Sequence, residues 1–218
     1  MNQAEIHRKL SADLLKSAEE ADKNALFQQR LTANLTMIQD LFFSLYPESE
    51  QEKAFGKLLH KLPKLFESRP EVLKNRDLEK IKEGNWYLSE QMVGMQLYVD
   101  HFNKDLKGLK DKLPYLQELG INFLHLMPIT TRPEKENDGG YAVNGYSQID
   151  PKFGTKKDLA ALTEKMREEG MYLMLDFVVN HTSDEYPWAV KAKKGSRKYQ
   201  DFYYTYPDRI LPDEFERS

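Results

Sequence analysis

The chain has 218 residues, with 32 Lys and Arg against 35 Asp and Glu for a net charge of −3, and no cysteine. The balance leaves no cationic excess for a phosphate backbone, so a nucleic-acid-binding role is not expected. The missing cysteines remove disulfides, thiolate nucleophiles and thiolate metal sites together. Met1 to Leu15 alternates charged and apolar residues without a continuous apolar core, so no secretory signal is read there. No apolar run approaches the roughly 18 residues that span a bilayer. The expectation is a cytoplasmic globular protein without a membrane or nucleic-acid partner.

Composition changes near Gly84. Residues 1–85 carry 14 basic and 14 acidic side chains but only two of the 11 glycines and six of the 25 aromatics. Apolar spacings of three and four predict helices, with Leu31, Leu35, Ile38 and Leu41 to Phe42 on one face. Ser49 with Glu52, and Ser68 with Glu71, have the spacing of capping boxes, and Pro70 suits a first turn. Gly84 is a stop signal after Leu73, Leu78 and Ile81. An all-helical domain over 1–85 is expected.

Residues 86–183 change rhythm. Three short apolar runs, Met92 to Val99, Asn122 to Met127 and Met171 to Val179, read as buried parallel strands. Between them lie two helical stretches. One carries Leu106, Leu109, Leu113, Leu116 and Leu119, with Pro114 as an interruption and Gly120 as a stop. The other starts at Thr155, has Asp158 three residues on, and stops at Gly170. Strand, helix, strand, helix, strand is the start of an α/β barrel or of an open doubly wound sheet, connected by right-handed crossovers.

Either architecture gathers function beyond the carboxyl ends of its strands. There stand Asp100 and His101 after the first strand, Asp138-Gly139-Gly140-Tyr141 in the long loop after the second, and Asp176 with Asn180-His181 at the third. Neither a dinucleotide glycine turn nor a phosphate loop follows the first strand, which argues against a nucleotide site. An imidazole, a carboxylate and a phenol beside glycines suit a polyhydroxylated ligand: the ring stacks on an apolar sugar face while the polar groups bind hydroxyls. Asp176, inside an apolar run, reads as structural rather than catalytic, and His125 as a satisfied core histidine. Phe202-Tyr203-Tyr204 reads as packing, and the cations from Lys191 to Lys198 as a solvated face.

The segment Asp176-Phe177-Val178-Val179-Asn180-His181 resembles the first conserved region of the alpha-amylase superfamily of glycoside hydrolases. Leu126-Met127-Pro128, Gly140-Tyr141-Ala142-Val143, Ile149-Asp150-Pro151 and Phe153-Gly154-Thr155 resemble other parts of the same barrel in the same order. Tyr98-Val99-Asp100, Asp105 to Leu109, Leu124 to Pro128, Asp138 to Val143, and Phe202-Tyr203-Tyr204 with Pro207-Asp208-Arg209 are similar to amylosucrases in particular. The resemblance implies a (β/α)8 barrel entered after a helical N-terminal domain, with 86–183 its first part and 184–218 the start of an inserted domain after strand three. It also implies a retaining glucosyltransferase that makes α-glucan from sucrose. A sucrose hydrolase, or another amylase-family enzyme on α-glucosides, is the nearest alternative. A non-catalytic carbohydrate-binding or interaction fragment is the alternative from another class.

By that resemblance His181 hydrogen-bonds the glucosyl unit, Tyr141 stacks on it, and Asp138 helps close the pocket. Asp176 and Asn180 support the site. Asn180 stands where many amylases hold calcium, but no metal or other cofactor is expected here. A complete barrel takes roughly 250 residues, and 127 lie between Met92 and Ser218. The family's nucleophilic aspartate, acid/base glutamate and third aspartate have no counterpart in the chain, so no catalytic residue is assigned and the chain alone is expected to be inactive. Three parallel strands leave an open edge, which predicts a truncated or cleaved piece, or one completed by a second polypeptide. Gel filtration with a thermal melt tests this: association or a non-cooperative melt is expected, and a compact 25.6 kDa monomer melting cooperatively contradicts it.

Overall fold

The computed structural model describes residues 25–46 and 48–217. The readings of Met1 to Leu15 and of the Ser49 side chain lie outside the described residues. The chain divides into two compact units, Met1–Trp86 and Tyr87–Ser218.

The first unit holds helices α1 (Ala25–Leu45), α2 (Glu48–Glu67) and α3 (Glu71–Glu83). Leu35 of α1 packs with Phe55 and Leu59 of α2, and Ile38, Phe42 and Phe43 close around them. Leu41 leaves the expected face and is exposed, because the stripe continues through Ile38 to Phe42 instead. Gly84 stops α3 at a φ of 73°, its N–H donating to the Lys80 carbonyl at 3.1 Å. The Ser68 capping box does not form. Pro70 is the N-cap residue of α3, and the Ser68 hydroxyl instead donates to the Leu65 carbonyl at 3.0 Å, satisfying the end of α2. A hollow of about 720 Å³ lies within this unit, between Phe27, Leu31, Phe66 and Leu78.

In the second unit the three predicted strands form one parallel sheet. β1 (Gly94–Leu97) pairs with β2 (Phe123–Leu126), a hairpin of β3 (Thr130–Thr131) and β4 (Gly145–Ile149) follows, and β5 (Tyr172–Leu175) pairs with the other side of β2. Helices cross between the strands: α4 (Val99–Asn103), α5 (Leu106–Asp111) and α6 (Leu113–Glu118), then α7 (Lys156–Glu168). Pro114 sits in the first turn of α6, where its missing N–H costs nothing, so the break falls just before it. Thr155 caps α7 in a full capping box with Asp158, as its spacing predicts. After β5 come α8 (Pro187–Lys193), α9 (Arg197–Gln200) and α10 (Ile210–Arg217).

The strands are shorter and less buried than their apolar runs suggest. Residues alternate across the sheet with period two. Leu97, Leu124 and Leu126 face the helices and join Leu106, Leu109, Leu113, Leu116, Leu162 and Met166 in the core. The opposite face carries Gln96, His125 and Met174 at one register level and is only partly covered. The ladder ends at Leu126 and Leu175; one residue on, the Met127 N–H still donates to the Leu97 carbonyl at 3.0 Å, and Pro128 beyond it has no N–H to donate. Asp176 is therefore the first residue beyond β5 rather than a residue within it. Among the described residues no helix is long and apolar enough to cross a membrane.

Gly108 shows how tightly α5 is set. The Asn103 amide donates to its carbonyl, and its own N–H donates to the Asp105 carboxylate, both at 2.8 Å. A Cβ at this position would overlap the Asn103 carbonyl oxygen. Gly→Ala within an exposed helix ordinarily gains about 1 kcal/mol, whereas Gly108→Ala is expected to lose about 1–3 kcal/mol through overpacking. A lowered thermal midpoint checks the sign.

Candidate functional site

The carboxyl ends of β1, β2 and β5 carry polar side chains in close order. After β1, Asp100 pairs with Lys152 at 2.6 Å. Burial works to raise the Asp100 carboxyl, but the Lys152 hydrogen bond and charge prevail and hold it below the usual carboxylate range. After β2 the chain passes Met127, whose sulfur accepts from the Gln96 amide at 2.8 Å, and enters the hairpin loop. Arg132 reaches Asp150 at 3.5 Å and lies over the Phe153 ring at 4.9 Å, anchoring one side of that loop.

The loop turns at Asp138-Gly139-Gly140. Asn137 caps the turn by accepting from the Gly140 N–H at 3.1 Å. Gly140 has a φ of 101°, and a Cβ there would stand 3.2 Å from the Pro128 carbonyl oxygen. Glycine is thus required by both conformation and space, and the turn delivers Tyr141 against the end of the sheet. The Tyr141 hydroxyl donates to Asp176 Oδ2 at 2.8 Å. Asp176 Oδ1 lies 2.9 Å from His125 Nε2 on the neighbouring strand. One carboxylate is thereby shared by a phenol from a loop and an imidazole from β2.

The hydrogen bond to Asp176 pushes the Tyr141 phenol up to about 12, helped by burial and by the charge of Asp176, with smaller effects of Tyr98 and Asp138. With both oxygens engaged, Asp176 is not poised as a nucleophile or as a general base; its chemistry here is to hold.

Of the five residues singled out in the sequence, Tyr141 and Asp176 are in direct contact. Asp138 stands at the turn next to them, exposed, at a φ of 49°. His181 and Asn180 are exposed and touch each other, Asn180 Nδ2 lying 3.5 Å from His181 Nδ1. The Tyr146 hydroxyl donates to the His181 carbonyl at 3.3 Å, which ties that loop to β4. A hollow of about 530 Å³ beside the end of β5 is lined by Asp176, Phe177, Tyr146, Leu159 and Leu175, but not by Tyr141, His181 or Asp138. Among the described residues no cluster of three His, Cys, Asp or Glu side chains is placed to hold a metal ion.

His125 is the site member that sequence reading undervalued. It is satisfied, as expected, but its partner is Asp176 and not a core backbone group. The available signal was positional: on adjacent parallel strands, a polar residue near each carboxyl end.

Because the neutral phenol is the form favoured in the fold, its contribution to stability is complete below pH 10 and is lost as pH rises through about 12. Asp176→Asn removes the charge that opposes ionisation, so the Tyr141 midpoint is expected to fall from about 12 toward 10. Difference ultraviolet titration against Tyr141→Phe measures the shift.

Comparison with known proteins bears on the same segment. Residues 67–217 match the family model "Alpha amylase, catalytic domain". The oligo-1,6-glucosidase of Bacillus cereus is 42% identical over 106 residues, covering 48% of this chain and 19% of that protein. The amino acid transporter heavy chain SLC3A1 of Rattus norvegicus is 41% identical over 101 residues, covering 46% and 14%. Among solved structures, the isomaltulose synthase of Klebsiella sp. LX3 superposes with a TM-score of 0.50 at 32% identity, covering 57% of this chain and 23% of that one. The matched part thus spans about a fifth or less of these curated relatives. The parallel sheet, its crossing helices and the family match over residues 67–217 lead to one conclusion: the chain belongs to the alpha-amylase catalytic domain family.

Proposed function

We propose that the protein acts on α-glucosides and that this chain supplies the glucosyl-binding side of the site. The reading rests on one observation: the Tyr141 hydroxyl held by Asp176 at 2.8 Å at the carboxyl ends of the strands. A phenol anchored through its oxygen presents a fixed ring face, and a fixed aromatic face binds the apolar side of a pyranose at little entropic cost. His181 donates to sugar hydroxyls from the loop after β5, Asp138 closes the pocket from the Gly139-Gly140 turn, and Asp176 and Asn180 support these groups. The sheet and helices serve as the first part of a (β/α)8 barrel, residues 184–218 as the start of an inserted domain, and residues 1–85 as the helical domain before it.

The finer reading is an amylosucrase-type glucosyltransferase, with sucrose as donor and α-glucan as acceptor, drawn from the motifs Tyr98 to Asp100, Leu124 to Pro128 and Asp138 to Val143. Retaining chemistry needs two carboxyl groups roughly 5–5.5 Å apart across the scissile bond. Asp176 is committed to Tyr141 and His125, and we assign no catalytic carboxylate within these residues. Bond cleavage is assigned to polypeptide outside them, which makes this chain by itself inactive.

The relative named as an amino acid transporter heavy chain, 41% identical over 101 residues, favours a second reading: a carbohydrate-binding or interaction role without catalysis. Calorimetry with glucose and sucrose tests the shared element. Weak binding is expected, lowered about tenfold or more, or 1.4 kcal/mol, by Tyr141→Ala or His181→Ala; no binding to either sugar rejects the glucosyl site. Incubating the full-length protein with sucrose separates the readings. Polymer supports transfer, equal glucose and fructose without polymer supports hydrolysis, and unchanged sucrose supports a non-catalytic role.

A further inference from the structure

His125 occupies a place in the sheet that no packing requirement explains. Its strand neighbours Leu124 and Leu126 are fully buried against the helices, while its own side chain faces the other way and retains 19% exposure. On that face it stands level with Gln96 of β1 and Met174 of β5. An apolar residue at this partly covered level would cost the core nothing. The imidazole instead lies 2.9 Å from Asp176 Oδ1, across the strand boundary and 51 residues away in sequence.

Asp176 needs such a partner. It follows Leu175, the last residue of β5 with a partner on β2, so the sheet no longer restrains it. The Tyr141 hydroxyl binds its other oxygen, but Tyr141 itself rides on a turn whose Asp138, Gly139 and Gly140 all have positive φ, and its ring takes its anchor from the same carboxylate. Apart from a long contact of the Tyr141 hydroxyl with the Met127 sulfur at 4.0 Å, the two groups position each other, which leaves the pair room to swing. A third group on the central strand of the sheet removes that freedom, since β2 is paired on both sides. An ionised carboxylate only accepts hydrogen bonds, so the proton of the neutral imidazole belongs on Nε2, directed at Oδ1.

We infer that His125 is a positioning residue: its imidazole fixes the Asp176 carboxylate, and through it sets the orientation of the Tyr141 ring. The consequence for sugar binding rests on the proposed function; the positioning itself does not.

Nitrogen NMR of the unsubstituted protein is expected to show the Nε2–H tautomer of His125, and the Nδ1–H tautomer would overturn the inference. His125→Phe keeps a ring of similar size without a donor, whereas His125→Gln places an amide N–H near the position of Nε2. In His125→Phe the Tyr141 phenol midpoint, followed by carbon NMR of the labelled ring, is expected to drop by about one pH unit, and glucose affinity to drop about tenfold. His125→Gln should restore both. A Tyr141 midpoint that does not move in His125→Phe overturns the inference. If that variant fails to fold, the tautomer measurement still decides. A midpoint that moves in a protein binding no glucose supports the positioning role and rejects the glucosyl site, so the two failures are distinct.

Discussion

One carboxylate holds the candidate site together. Asp176 ties the loop after β2 to the sheet through Tyr141, and ties itself to the central strand through His125. Both bonds are short, and both involve a charged acceptor, the kind of hydrogen bond that is stronger than one between neutral groups. The geometry around them follows from this. The Gly139-Gly140 turn permits the approach of Tyr141, the end of the β-ladder at Leu175 leaves Asp176 outside the pairing, and the parallel pairing of β2 with β5 sets their carboxyl ends side by side.

The rest of the second unit makes that placement firm. Leucines from β1, β2, α5, α6 and α7 interlock on one face of the sheet, so the strand ends are set by a packed core. Such interiors resist small displacements. The opposite face carries Gln96, His125 and Met174 at one level and is only partly covered. In parallel α/β folds the packed core fixes the strands, and the loops at their carboxyl ends supply the specificity.

Local signals in the sequence located most of the elements in both units. Thr155 with Asp158, Gly84 and Gly170, and the three apolar runs all act within a few residues, where propensity and capping decide the outcome. The Ser68 box failed for a local reason too, since Pro70 took the cap and Ser68 turned back to Leu65. Strand ends were overestimated because apolar character continues past Leu175 through Phe177 to Val179, whereas pairing stops with its partner strand. The contacts of Asp176 belong to another category. Tyr141 is 35 residues away and His125 is 51 away, so only the strand order β1-β2-β5 brings them together. The motif around His181 lies in the loop after β5, where the His181 side chain meets Asn180 and not the Tyr141–Asp176 pair.

The central claim is that Tyr141, braced by Asp176, is the floor on which a glucosyl ring rests. A crystal structure of the protein soaked with glucose tests it most directly. The account predicts the pyranose lying face to face on the Tyr141 ring, with the His181 imidazole in hydrogen-bond reach of its hydroxyls. Glucose seated elsewhere, with the Tyr141 face bare, would contradict it.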